Sequence, residues 1–175
     1  IETIRDLTGK PPRGYRSPSW DLSPHTVDLL LEHGFDYDSS MMGDDYTPYF
    51  ARRGDEISLQ QPARFGPPTR LLELPISWSL DDFPLFEYLR HQGGVQQTSL
   101  PTDAILRNWI DDYLYMKRSQ DWGVITYTFH PFVIGRGHRM MLLERLIDLL
   151  AEGSAEFMTS GEAADAFLAR TARDS

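Results

Sequence analysis

Cysteine is absent from all 175 residues. That excludes disulfides, thiolate zinc sites and a cysteine nucleophile, and it fits any compartment. Long apolar runs are also missing. None approaches the roughly 20 residues that a bilayer-spanning helix requires, so no membrane partner is expected. The opening segment IETIRDLTGK has no basic region followed by an apolar one, the pattern of a secretory leader, and a cytoplasmic chain is the expectation. Positive charge is scarce: 17 Lys and Arg stand against 26 Asp and Glu, a net charge of −9. Phosphate backbones are held by basic surfaces, so nucleic acid is a poor partner. No internal repeat or low-complexity segment interrupts the chain. What remains is a single domain over residues 1–175, long enough to bury a real core.

The hydrophobic pattern alternates between strand and helix. Residues 1–7 read as the end of a helix, with Gly9 after it and Pro11-Pro12 as the stop. Residues 14–17 read as a strand closed by Pro18. A helix follows, with Ser23 as N-cap, Pro24 in its first turn and Val27, Leu30 and Leu31 inward. Residues 35–39 alternate as a strand. The polar, proline-containing stretch 41–70 reads as a long loop, the kind that is functional when it sits in a compact domain. Strand 71–77 comes next, then a short helix from Asp81 to about Arg90, and a break at Gly93-Gly94. Helix 102–119 places Ile105, Trp109, Ile110, Tyr113 and Leu114 on one side. Helix 138–151 turns Leu142, Leu143, Leu146, Ile147 and Leu150 inward. Residues 156–158 read as a last strand. Thr159 and Glu162 form a T-x-x-E capping box for the final helix. Strand and helix repeated in this way predict an α/β fold with parallel strands.

The segment GVITYTFHPFVIGR carries the strongest chemical signal. Its β-branched and aromatic run, residues 124–129, predicts a strand that must stop at His130. Pro131 has no N–H and restricts the residue before it. A histidine at the tip of a strand, followed by a loop and a helix, sits where α/β proteins keep their chemistry. Imidazole titrates near neutrality and can protonate a departing amine. Asp81-Asp82, before Phe83-Pro84, reads first as an N-cap with a first-turn charge, and second as a ligand pair. The glycines of IGRGH, residues 134–138, can seat an anion or simply form a loop. His25 and His33 read as surface residues.

Several of these segments, in this order, resemble the polysaccharide deacetylase (NodB-homology) family. PPRGYRSPSW, with Arg16 and Pro18, is similar to its R-x-P-aromatic motif, although Ser19 intervenes before Trp20. SPHTVDLLLEHGFDYDSS resembles the helix and strand that follow. LPISWSLDDFP and TFHPFVIGR are similar to the branch holding bacterial peptidoglycan-deacetylase-like proteins and allantoinase-type imide hydrolases. The resemblance implies part of a distorted, incomplete (β/α) barrel that hydrolyses a carbon–nitrogen bond in a glycan or small molecule. It implies that His130 is the general acid and that Arg16 positions a catalytic carboxylate through a charge-assisted pair.

The same resemblance exposes a gap. The family's early aspartates and its H-x-x-x-H metal pair have no counterpart. The five histidines are His25, His33, His91, His130 and His138, and no two are four apart. The chain is therefore expected to be the C-terminal part of such a barrel, early strands absent and inactive alone. No metal ligand is assigned here, and a divalent, zinc-like ion would belong to the intact protein. Missing strands would leave an apolar edge for the rest of the protein or a second copy, as in a homo-oligomer, to cover. Trp20, Tyr37 and Trp78 are candidates to line a substrate groove, with core packing the equal alternative for each. Three functions stay open: a polysaccharide deacetylase, a metal-independent cyclic imide hydrolase of the same fold, and a non-catalytic binding or assembly module.

Overall fold

The computed structural model describes residues 1–91, 93–97 and 100–173. Along the chain the elements are α1 (Glu2–Thr8), β1 (Gly14–Tyr15), α2 (Thr26–Glu32), β2 (Tyr37–Asp38), β3 (Tyr49–Arg52), β4 (Pro68–Glu73), α3 (Asp82–Phe86), β5 (Tyr88–His91), β6 (Gly94–Gln97), α4 (Thr102–Ser119), α5 (Pro131–Ile134), α6 (Gly137–Glu152) and α7 (Ser160–Thr171). Packing divides them into two compact units, Ile1–Pro75 with Met158–Ser175, and Ile76–Phe157.

The first unit is built on an open four-stranded sheet in the order β1-β2-β4-β3. The first three strands run parallel, as the alternating pattern predicts. In the register, Asp38 of β2 lies directly beside Glu73 of β4. Leu30 of α2 packs with Phe35, Ala51 and Leu71 on one side of the sheet. Leu72 and Leu74 point the other way, onto Ala164 of α7. This two-sided burial follows from the period-2 alternation of strand side chains. The Thr159–Glu162 capping box is formed, each side chain accepting from the other residue's backbone N–H. Gly14 has a packing reason as well: a Cβ there would run into the Tyr37 ring.

β3 is the main surprise in this unit. It lies inside the stretch 41–70 read as loop, pairs antiparallel with β4, and buries only Ala51. A lone buried alanine among prolines and charges leaves almost no periodic signal. Ser23 is also displaced from its expected role. The helix begins at Thr26, and Ser23 instead organises the preceding turn through Thr26 and the His25 N–H.

The motif loop after β1 carries unusual backbone. Ser19 and Trp20 both adopt positive φ, 53° and 54°. A side chain in this left-handed region costs roughly 1–2 kcal/mol per residue. The intervening Ser19 is thus accommodated by two strained residues in succession. Ser19→Gly is expected to raise stability by about 1 kcal/mol, read as a higher denaturant midpoint. An unchanged or lower midpoint would show that the strain is relieved locally.

The second unit is mainly helical. α4 and α6 pack together. The buried stripe of α4 is Ile105, Leu106, Trp109, Tyr113 and Met116, whereas Leu114, expected inward, is exposed. α6 buries the narrower series Leu142, Leu146 and Leu150, and Ile147 is exposed. Helix 81–90 is cut short: α3 ends at Phe86, and β5 and β6 form an antiparallel hairpin instead. Gly94, at φ 134°, begins β6 and explains the expected break.

The expected strand 124–129 forms no ladder among the described residues. Only Thr128 makes a bridge, parallel to Asp81. Its N–H donates to Leu80 O at 2.9 Å and its carbonyl accepts from the Asp82 N–H at 3.1 Å. Tyr127 and Phe129 instead pack tilted and edge-on against Trp109, with ring centres 5.8 and 5.6 Å away. Aromatic packing and one bridge hold this segment where a ladder was expected. Residues 156–158, read as a strand, likewise have no ladder partner among the described residues.

Candidate active site

The chain places two polar constellations in two separate units. In the second unit, the Thr128 bridge sets residues 80–82 alongside residues 128–130. Asp81 is the N-cap of α3, its Oδ1 accepting the Phe83 N–H at 2.7 Å. Asp82, the next residue, is fully buried with 0% exposure. Its carboxylate faces His130. The His130 backbone N–H donates to both Asp82 oxygens, at 3.1 and 3.0 Å, and the ring Nδ1 lies 2.7 Å from Oδ1. An ionised carboxylate can only accept, so Nδ1 carries its proton. That leaves Nε2 for a reacting group, on a side chain that is 36% exposed. The rings of Phe83 and Phe132 flank the imidazole at 5.6 and 5.7 Å. A buried carboxylate that orients a half-exposed histidine is a general acid–base arrangement.

Sequence reading found His130 and the cap role of Asp81 but missed the Asp82–His130 pair. A first-turn aspartate normally faces solvent and serves the helix dipole. Only the bridge to Thr128 turns Asp82 inward. The preceding turn carries Trp78, which is 45% exposed on a short 3₁₀ segment ending at Leu80. Trp109 Nε1 donates to Ser79 O at 2.9 Å and ties that turn to α4.

Asp81, Asp82 and His130 also form the one group of three candidate metal ligands among the described residues, with donor atoms within 4.8 Å. As arranged here, the close Asp82–His130 contact is a hydrogen bond, not two ligands sharing an ion. Both Asp82 oxygens, Asp81 Oδ1 and His130 Nδ1 are already engaged in hydrogen bonds, and the 2.7 Å Nδ1–Oδ1 contact leaves no room for a metal between them.

In the first unit, Arg16 donates from Nε to Ser39 O at 3.1 Å and from Nη2 to Ser39 Oγ at 2.8 Å. Ser39 and Ser40 are buried at the end of β2, between Asp38 and Glu73. Burial and the neighbouring Asp38 push the Glu73 carboxyl up to about 8. Burial also raises Asp38, against the lowering effects of Ser40 and of the Arg16 charge. Tyr37 is half-buried on β2 and packs against Leu72, Leu74 and Ala164. Trp20 is half-buried in the strained loop. Arg16, Trp20 and Tyr37 thus belong to one unit, and Trp78 and His130 to the other.

With this geometry in place, similarity to known proteins is decisive. The chain is 37% identical to the peptidoglycan deacetylase of Helicobacter pylori, over 99% of its own length and 62% of the relative's. A solved structure from Mycobacterium smegmatis, assigned as a polysaccharide deacetylase, superposes with a TM-score of 0.71 at 28% identity, over 98% of this chain and 54% of that one. Over nearly its whole length the chain is similar to part of the polysaccharide deacetylases, and it shares their fold. An allantoinase structure shares the fold at 22% identity and a TM-score of 0.68, covering 94% of this chain and 49% of that one. This deacetylase-like chain therefore spans about half to just under two thirds of the length of the proteins it matches. No protein-family model matches it.

Proposed function

We propose that this chain supplies the proton-donating side of a carbon–nitrogen hydrolase that removes acetyl groups from an amino-sugar glycan. The Asp82–His130 contact carries the reading. In the proposed step, water adds to the acetamide carbonyl, the C–N bond breaks, and the His130 Nε2–H protonates the departing amine. Asp82 holds the ring through Nδ1 and offers a counter-charge while both ring nitrogens carry protons. Arg16 has the proposed role of positioning a carboxylate, and Trp20, Tyr37 and Trp78 that of sugar contacts. The 37% identity to a peptidoglycan deacetylase supports a glycan over an imide substrate.

In the intact protein, His130→Ala is expected to lower deacetylation of N-acetylglucosamine oligomers by about 10²- to 10⁴-fold with the fold preserved. Unchanged hydrolysis would sink the acid role. The same assay on cyclic imides tests the allantoinase-type reading, which the shared fold keeps open. Glycan binding without hydrolysis of either substrate would identify a non-catalytic module.

A further inference from the structure

The proposed chemistry makes no use of the buried carboxyl pair at the β2–β4 register. Asp38 and Glu73 are paired neighbours on adjacent parallel strands. Their side chains share one face of the sheet, and both are buried, with 1% and 0% exposure. Two ionised carboxylates placed so would repel strongly without water to screen them. Each has one oxygen well supplied with donors. Glu73 Oε1 accepts the Ser40 and Met41 N–H groups, both at 2.7 Å. Asp38 Oδ1 accepts the Ser40 hydroxyl at 2.8 Å. The other two oxygens, Asp38 Oδ2 and Glu73 Oε2, are buried and meet no N–H or O–H donor among the described residues. Yet the two carboxyl groups lie within hydrogen-bonding contact of each other. Two acceptors can make that contact only with a proton between them.

We propose that Asp38 and Glu73 share a single proton, and that this protonated pair is the latch that holds the Arg16 loop in position. Ser40 is the coupling residue. Its hydroxyl donates to Asp38 and accepts the Ser17 N–H at 2.8 Å, and its N–H donates to Glu73. Ser17 follows Arg16 directly, and Ser39, which Arg16 grips, precedes Ser40. The two segments are therefore pinned to each other through the pair. Loss of the proton puts two buried negative charges side by side and drives β2 from β4 at the point where Arg16 is anchored.

The groups facing the pair are few. Arg16 approaches Asp38 from the end of β1, and the Tyr49 phenol approaches Glu73 from β3 with Arg52 beside it. On α2, which packs on β4, Asp28 is engaged with Arg53. Tyr49 is itself pushed up to about 12 by burial, so it stays neutral through the range concerned.

The sign of the pH dependence follows. Glu73 lies at about 8 in the folded chain against 4.5 for an unperturbed glutamate. The folded state therefore keeps a proton that the unfolded state has released between those values. Stability is full below about 4.5 and is lost as pH rises through about 8. One retained proton changes the unfolding constant by up to about tenfold per pH unit across this window.

Glu73→Gln tests the latch directly, because an amide N–H replaces the shared proton with a donor that cannot titrate. Unfolding constants of the chain and of this variant, measured by denaturant titration from pH 4 to 9, are expected to diverge by up to about tenfold per pH unit within the window. The Ser17, Ser40 and Met41 amides are expected to lose hydrogen-exchange protection at high pH in the native sequence and to keep it in the variant. Parallel pH profiles, or protection that does not change with pH, would overturn the shared proton. Asp38→Asn is the complementary variant and is held to the same criteria should Glu73→Gln not fold. The role of Arg16 rests on the proposed function, but these readouts involve no hydrolysis. A missing deacetylase activity with a working latch, or the converse, separates the two ideas.

Discussion

Asp82→Ala is expected to cripple the protein twice over, by about 1–3 kcal/mol in stability and by about 10²- to 10⁴-fold in the proposed hydrolysis by the intact protein. The stability loss comes from His130. Its backbone N–H has both Asp82 oxygens as acceptors, and truncation leaves that group and the ring Nδ1–H unpaired in a partly buried position. The loss of activity comes from the ring, which is no longer held in one tautomer or orientation. Because Asp82 is fully buried and touches His130 alone of the proposed reacting groups, the change belongs in kcat rather than KM. Asp82→Asn separates the two effects. The amide oxygen still accepts the backbone N–H, so folding should stay close to normal, while the missing charge should still depress kcat. Urea midpoints and steady-state kinetics on both variants check this. An Asp82→Ala protein as stable as the native sequence would refute the structural half, and a full kcat in Asp82→Asn the catalytic half.

Trp109→Ala should be the most destabilising substitution in the second unit, at about 3–5 kcal/mol. The side chain is completely buried and combines ring packing with a hydrogen bond. Its ring meets Tyr127 and Phe129, and its Nε1–H donates to Ser79 O. Those contacts position both the turn that leads into Asp81-Asp82 and the segment that leads into His130. The expected result is a large fall in the denaturant midpoint together with a displaced His130 ring resonance. Trp109→Phe keeps most of the ring but loses the bond to Ser79, and should cost only about 0.5–1.5 kcal/mol beyond its smaller volume. Equal losses in the two variants would mean that the Ser79 bond, not packing, dominates.

How far the sequence carried the reading varied with the kind of signal. Helices were legible because caps and 3.6-residue spacing are local. α4 was read with its observed bounds, and the Thr159–Glu162 box marked the start of α7. Which side of a helix is buried was less legible. Met116 replaced Leu114 in the α4 core because tertiary neighbours, not hydrophobicity, decide which stripe is covered. Strands were legible where both faces are apolar, as in Leu71-Leu72, and illegible in β3, whose single buried alanine gives no alternation. Residues 124–129 had strand composition but found only one backbone partner. His130 was legible from the proline behind it. Asp82 was not, because its burial depends on a contact 48 positions away. The Asp38–Glu73 pair depends on strand register, which no local pattern encodes.

The position of α7 in the chain has a consequence for the order in which this molecule can be made. The unit Ile76–Phe157 is continuous in sequence and can complete its packing as soon as it emerges. The sheet unit cannot. Its Leu72–Leu74 face is closed by Ala164 and Phe167, and Arg13 grips Asp165 at 2.7 Å from 152 positions away. A nascent chain halted at Phe157 therefore carries a finished helical unit and a sheet with one bare side. During that interval β1, β2 and β4 wait on α7, and their bare apolar face stays open to aggregation until α7 is made.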